Sequence, residues 1–317
     1  MSCFQLSSLS PDCTNMASNI HITETLHSQL RRKSLYFHNN GQKISPWHDI
    51  PLYADRKHGI FNIVIEIPRG TNAKMEVSYY ITKEISFNPI MQDIKKGKPR
   101  ELANIAPFRG YPCNYGALPQ TWEDPNSIDS HTGIAGDDDP LDVCEIGSQN
   151  AQCGEIKMVK PLGAFAVLDE GETDWKVIAI DVADALSEKL TDIGDVESHL
   201  PGLLESLKMW YCNYKVPDGN SPNSIGLDGK LMDRQYVKSN TLEELSDQKQ
   251  IRIKPHRSLP SSMGTSERLS QSKLCSSEQP VNPPVANHRT TLEHLFRHRI
   301  STKIIVSYCT KRSNIIH

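Results

Sequence analysis

The most constraining stretch of this chain is "GDDDPLDVCEIG", Gly136 to Gly147, which crowds Asp137, Asp138, Asp139 and Asp142 around one proline. Like charges at roughly 4 Å repel by about 4 kcal/mol per pair when the effective dielectric is near 20. A fold that holds these acids together must splay them into water or bring countercharge to them. Pro140 stiffens the turn, and Leu141 and Val143 offer apolar anchors. Asp137, Asp139 and Asp142 can then converge while Asp138 points away. A charge run by itself is usually a solvated loop, so convergence requires partners elsewhere in the chain.

The surrounding texture is short strand-like runs broken by turns. "FNIVIEI" (61–67), "AKMEV" (73–77), "LGAFAVL" (162–168) and "WKVIAI" (175–180) are the clearest. Alternation puts Lys74 and Glu76 on one strand face and Met75 and Val77 on the other. It likewise sets Asp174 and Lys176 opposite Trp175 and Val177, and Glu66 opposite Phe61, Ile63, Ile65 and Ile67. Helical periodicity is confined to "DIGDVESHL" and "GLLESLKMWYCNY", separated by Pro201-Gly202. Strands first and helices last predict a mainly β, α+β chain with a sheet or barrel core. A barrel with a charged mouth would gather the recurring carboxylates and lysines, and such a mouth needs divalent cations.

Charge divides the chain. Residues 249–317 hold twelve Lys/Arg against three Asp/Glu, a net of +9, whereas the rest carries −12. That tail is rich in Pro and Ser and is expected to be disordered, because it cannot bury enough apolar surface to offset chain entropy. Residues 1–34 are expected to be a flexible segment, and 35–248 the folded domain. No apolar run approaches the ~18 residues of a membrane span. Eight scattered cysteines without a CxxC pair point to free thiols in a reducing compartment.

Hard oxygen ligands suit Mg²⁺, Ca²⁺ or Mn²⁺. The EF-hand pattern fails, because Leu141 and Asp142 occupy loop positions 5 and 6 and Ser148 occupies position 12. Few carboxylates per ion is the Mg²⁺ style, and Mg²⁺ commonly partners phosphate. "KKGKPR" (95–100), "GYPCNYG" (110–116) and "NYKVPDG" (213–219) supply cations and tyrosines for phosphate oxygens. There is no P-loop and no dinucleotide fingerprint. His294 and His298 in "HLFRH" lack the glutamate of a zinc-protease motif.

"DDDPLDV" resembles the Asp-x-Asp-Pro-x-Asp signature of soluble family I inorganic pyrophosphatases, in their eukaryotic form. "ISPWHDIPLYAD", "FNIVIEIPRGTNAKMEV", "NPIMQDIKKGKPR", "NYGALPQTWEDP", "LDEGETDWKVIAI" and "YKVPDG" extend the likeness over residues 35 to 220, and more weakly to 248. The resemblance implies an OB-like five-stranded β-barrel with flanking helices, a homodimer, and Mg²⁺-dependent hydrolysis of pyrophosphate to two orthophosphates. It implies several Mg²⁺ ions per site and in-line attack by a metal-activated water. Matched position by position, Asp137, Asp142 and Asp174 would be direct metal ligands, with Asp169 and Glu76 serving metals that arrive with substrate. Asp139 would accept the proton of the water held between two metals. Glu66 would be an outer-shell residue. Lys74, Arg100, Tyr115, Lys176, Tyr214 and Lys215 would hold phosphoryl oxygens and product, with Tyr111 nearby.

Four departures stand out. Gly70 replaces the family's Trp and removes an apolar anchor beside Lys74. The stretch beginning at Ser78–Tyr80 is longer than its counterpart, Pro112-Cys113 replace an apolar-aromatic pair, and Asn220 stands where a phosphate-side Lys is usual. The alternative function is a weakly active paralogue serving as a binding scaffold, its basic tail contacting nucleic acid or an acidic partner. A cytoplasmic location is expected, with a mitochondrial one as the alternative.

Overall fold

The structure, a computed structural model, describes residues 19–27, 32–78, 85–242 and 251–252. In chain order come β1 (Ile20–His27), β2 (Arg32–Asn39), β3 (Ile60–Ile67), β4 (Met75–Val77) and β5 (Ile90–Gln92). They are followed by β6 (Asn114–Ala117), β7 (Trp122–Glu123), β8 (Asp142–Glu145), β9 (Ile156–Asp169) and β10 (Glu172–Asp181). Helices α1 (Ile193–His199), α2 (Leu203–Asn213) and α3 (Arg234–Leu242) precede β11 (Ile251–Arg252). Shorter strands and 3₁₀ turns lie in the connections.

Five strands close on themselves in the order β3-β6-β8-β10-β9, with β9 returning to pair with β3. Closure leaves no open edge among these five. The parallel pairing of β8 with β10 sets Asp142 opposite Lys176. This is the expected OB-like barrel.

Alternation sorts side chains between the two faces of the barrel wall. Ala164, Ala166, Trp175, Val177, Ala179 and Val143 join Phe61, Ile63 and Ile65 in one cluster. Phe165, Val167, Ile178, Ile180 and Cys144 face the other way, where α2 covers them with Leu203, Leu204, Leu207, Trp210 and Tyr211. The spacing of those five helix residues is the apolar stripe of an amphipathic helix. On this helix-facing side of β10, the apolar Ile180 and Ile178 give way to Lys176 and Asp174. That change marks where the core ends and a polar pocket begins. β3 is buried along its whole length, so Glu66 lies under β4 and not in solvent.

The expectation of flexibility through residue 34 is corrected by β1, which pairs with β2 from Ile20↔Asn39 to His27↔Arg32. Ile22 lies against Gly154 and pairs with Phe37 in the ladder. Glu24 interrupts the apolar alternation of Ile20, Ile22 and Leu26, and the opposite face is His and Thr, so the strand reads locally as polar chain. In the basic tail, expected to be disordered, Ile251–Arg252 form β11 on β7. The remaining tail residues, including His294 and His298, and the long stretch at 79–84 lie outside the described residues. No helix among the described residues is long and apolar enough to cross a membrane.

Candidate active site

The pocket opens at the end of the barrel where β4, β6, β8, β9 and β10 meet the C-terminal end of α2. β8 and β10 bring Asp142, Asp174 and Lys176; β9 ends on Asp169; α2 and the turn after it bring Tyr211, Tyr214 and Lys215. Lys74 and Glu76 come from β4 and its approach, Arg100 and Asp93 from the connection after β5, and Tyr111 and Tyr115 from β6 and its approach. Asp137 and Asp139 come from the acidic loop. All expected ligand, base and phosphate-holding residues therefore line one pocket. Glu66 does not line it; its Oε1 accepts the Val77 backbone N–H at 2.6 Å beneath the strand that carries Glu76.

The acidic loop is held by backbone bonds rather than by charge. Glu123 N–H donates to Asp139 O, and Asp138 N–H donates to Glu123 O, each at 2.9 Å. Leu141 N–H donates to Thr121 Oγ1 at 3.0 Å, and Leu141 itself is fully buried. Asp139 N–H donates to Asp137 Oδ1 at 3.0 Å. Asp138 adopts φ +68°, a left-handed conformation that Asp tolerates better than most residues. Its carboxylate turns outward to accept Trp122 Nε1–H at 2.6 Å. At Gly136 a Cβ would come within 2.6 Å of the Glu123 carbonyl carbon, so only glycine lets the loop approach β7 this closely.

One wall of the pocket is paired. Lys74 meets Glu76 at 2.9 Å, Arg100 meets Asp93 at 3.1 Å, and Lys215 meets Asp169 at 2.6 Å. Tyr214 OH also donates to Asp169 Oδ2 at 3.0 Å. Lys176 lies between Asp142 and Asp174 and pairs with both. Tyr115 OH donates to Asp142 Oδ2 at 2.5 Å. Burial works against charge on Lys74 and Lys176, yet their anionic neighbours together, Glu76 foremost for Lys74 and Asp142 and Asp174 for Lys176, outweigh it and keep both ammonium groups protonated. Burial raises the hydroxyl pKa values of Tyr111, Tyr115 and Tyr214, which keeps them as neutral donors.

The other wall lacks cations. Among the described residues, no lysine or arginine forms an ion pair with Asp137, Asp139 or Glu123. Carboxylate oxygens of Glu123, Asp137 and Asp174 lie within 4.8 Å of one another. Burial, then Asp174 and Asp139, pushes the Asp137 carboxyl up to about 9. Burial lifts Asp139 to about 7, and it lifts Asp174 to about 7 despite Lys176. Glu123 is raised by burial and by Asp137 and Asp174. Oxygen donors and mutual repulsion, with Lys176 meeting Asp174 alone of the three, fit a hard divalent ion.

Sequence reasoning missed Glu123, Asp93, Glu170, Glu172 and Tyr211. Glu123 sits in the two-residue strand β7, too short for any periodicity to mark its direction. Tyr211 reads as helix core, and its hydroxyl meets Cys144 Sγ at 3.1 Å at the pocket floor. Asn220 Nδ2–H donates to Glu170 Oε1 at 2.8 Å, so the position of the absent lysine is at the pocket rim. Gly70 takes φ +78° in a turn closed by Thr71 N–H to Pro68 O, and its own N–H donates to Tyr111 O at 2.9 Å.

A model of the inorganic pyrophosphatase family matches residues 63–248. The inorganic pyrophosphatase of Kluyveromyces lactis is 56% identical over 203 residues, which is 64% of this chain and 69% of that protein. That of Emericella nidulans is 46% identical over 268 residues, covering 83% of this chain and 92% of the relative. The solved inorganic pyrophosphatase of Schistosoma japonicum superposes with a TM-score of 0.65 at 46% identity, covering 69% of this chain and 76% of that one.

Proposed function

The chain belongs to the inorganic pyrophosphatase family, and from that premise we propose that it hydrolyses pyrophosphate to two orthophosphates with Mg²⁺. The observation that carries the reading is one pocket that gathers cations and tyrosines together with a surplus of carboxylates. A polyanionic substrate needs the first, and metal ions need the second.

Asp137, Asp142 and Asp174 are assigned to the resident Mg²⁺, with Asp169 and Glu76 serving ions that come with substrate. When bound, such ions lower the pKa of the attacking water and neutralise the attacking and leaving oxygens. Lys74, Arg100, Lys176 and Lys215 hold the phosphoryl oxygens, and Tyr115 and Tyr214 donate hydrogen bonds to them. Substrate entry exchanges the carboxylates now paired with these cations for phosphate, so the cations arrive already charged and positioned. Asp139, which lines the pocket beside these carboxylates, accepts the proton of the attacking water. Glu66 props β4 through Val77 N–H, and Tyr111 packs against Tyr115 and Trp210 at ring distances of 5.0 and 4.8 Å. Residues 35–248 form the catalytic domain in this reading. Homodimeric assembly and a cytoplasmic location belong to the same proposal, to be checked by light scattering and cell fractionation. The binding-scaffold alternative is not favoured, because the site retains all its principal carboxylates.

Orthophosphate release from pyrophosphate, with Mg²⁺ and with chelator, tests the proposal. Release should require Mg²⁺, and Asp139→Asn should slow it by about 10²–10⁴-fold. Release indifferent to chelator, or unchanged in Asp139→Asn, would sink it.

A further inference from the structure

Resting on the pyrophosphatase reading, we infer that Glu123 is a further carboxylate of the cation seat and sets how tightly the first divalent ion is held. Glu123 is 2% exposed. Its Oε1 accepts the Trp175 backbone N–H at 3.0 Å. Its Oε2 is buried and has no hydrogen-bond partner. A carboxylate oxygen of this residue lies within 4.8 Å of those of Asp137 and Asp174.

A purely structural role does not account for this arrangement. One backbone N–H asks for one neutral acceptor, which a glutamine would supply. The second oxygen and the negative charge exceed that need, and both are costly when buried. Lys176 pairs with Asp142 and Asp174 on the far side and forms no ion pair with Glu123. The residue is also rigidly aimed. Its N–H and C=O bond to Asp139 and Asp138 across the acidic loop, and Gly136 leaves no slack between loop and strand. A carboxyl oxygen held without a partner beside two assigned metal ligands is an oxygen waiting for a cation, directly or through a water on it.

Calorimetric titration of Mg²⁺ into the full chain, without substrate, tests this. Glu123→Gln should weaken Mg²⁺ by about ten-fold or more, the scale seen for residues that support a metal site. Glu123→Asp, which keeps the charge but shortens the reach, should fall between Gln and wild type. Circular dichroism in metal-free buffer checks that each variant is folded; should the glutamine variant not fold, the aspartate variant alone decides. Wild-type affinity in the folded variants would overturn the role of Glu123, and would mean that it shares a proton with its neighbours instead. Absence of Mg²⁺ uptake by wild type, with Asp137→Asn equally silent, would overturn the pyrophosphatase reading itself.

Discussion

The two walls of the pocket use the same residue types in opposite ways. On the paired wall Glu76, Asp93 and Asp169 each meet a cation of the protein. On the unpaired wall burial and neighbouring acids raise the proton affinity of Asp137 and Asp139, and of Glu123 beside Asp137. A paired carboxylate steadies a lysine or arginine until phosphate replaces it. An unpaired one stores a demand for positive charge that only a small multivalent ion satisfies. Lys176, 3% exposed between Asp142 and Asp174, is the boundary between the two.

Removing that boundary should have the largest effect on stability. Lys176→Met leaves Asp142 and Asp174 buried without their cation and should cost about 3–5 kcal/mol in metal-free urea denaturation. Mg²⁺ should recover more stability in this variant than in wild type. A loss within the scatter of surface substitutions would mean that the two acids do not depend on Lys176.

Neutralising one acid on each wall should move stability in opposite directions. Asp137→Asn should raise metal-free stability at pH 7 by about 1–3 kcal/mol, since the native state no longer pays to hold that group protonated. Asp169→Asn should lower it by about 1–2 kcal/mol, because Lys215 and Tyr214 lose a charged acceptor. Changes of the same sign would erase the distinction between the walls.

The pH profile separates them further. In metal-free protein the carboxyls at about 7 and about 9 lie above their unfolded values of about 4. The native state then holds protons that the unfolded chain has released. Metal-free stability should therefore fall as pH rises from about 4 toward 9, and saturating Mg²⁺ should flatten that slope. Beside the paired wall, the hydrogen bond from Lys95 lowers the Asp218 carboxyl. Its contribution is present above the unfolded value and is lost as pH falls through the folded one. Thermal melts across pH, with and without Mg²⁺, read both trends.

The smallest expected effect is a control. Gly70→Ala places a side chain at φ +78° and should cost about 1 kcal/mol. It touches the charge of neither wall, so Mg²⁺ affinity should not move.

What the sequence determined by itself was whatever short-range periodicity or composition can express. Alternation in Leu162–Leu168 and Trp175–Ile180 announced two-faced strands, and Leu203, Leu207, Trp210 and Tyr211 announced a helix stripe. Pro140, Leu141 and Val143 announced an anchored turn presenting Asp137, Asp139 and Asp142. The motifs' resemblance to a family reaches the site residues one by one, but not their arrangement. The tertiary structure alone decided which acids would have partners. Asp142 meets Lys176 because β8 and β10 run parallel at that register, and β9 can bound the pocket because the barrel closes on β3. Those are contacts between residues far apart in the chain, and no local pattern encodes them. Glu123 becomes a further acid of the seat for the same reason: two residues of strand show no period, and only the loop folded across them turns a carboxylate of unremarkable sequence into one buried beside Asp137 and Asp174.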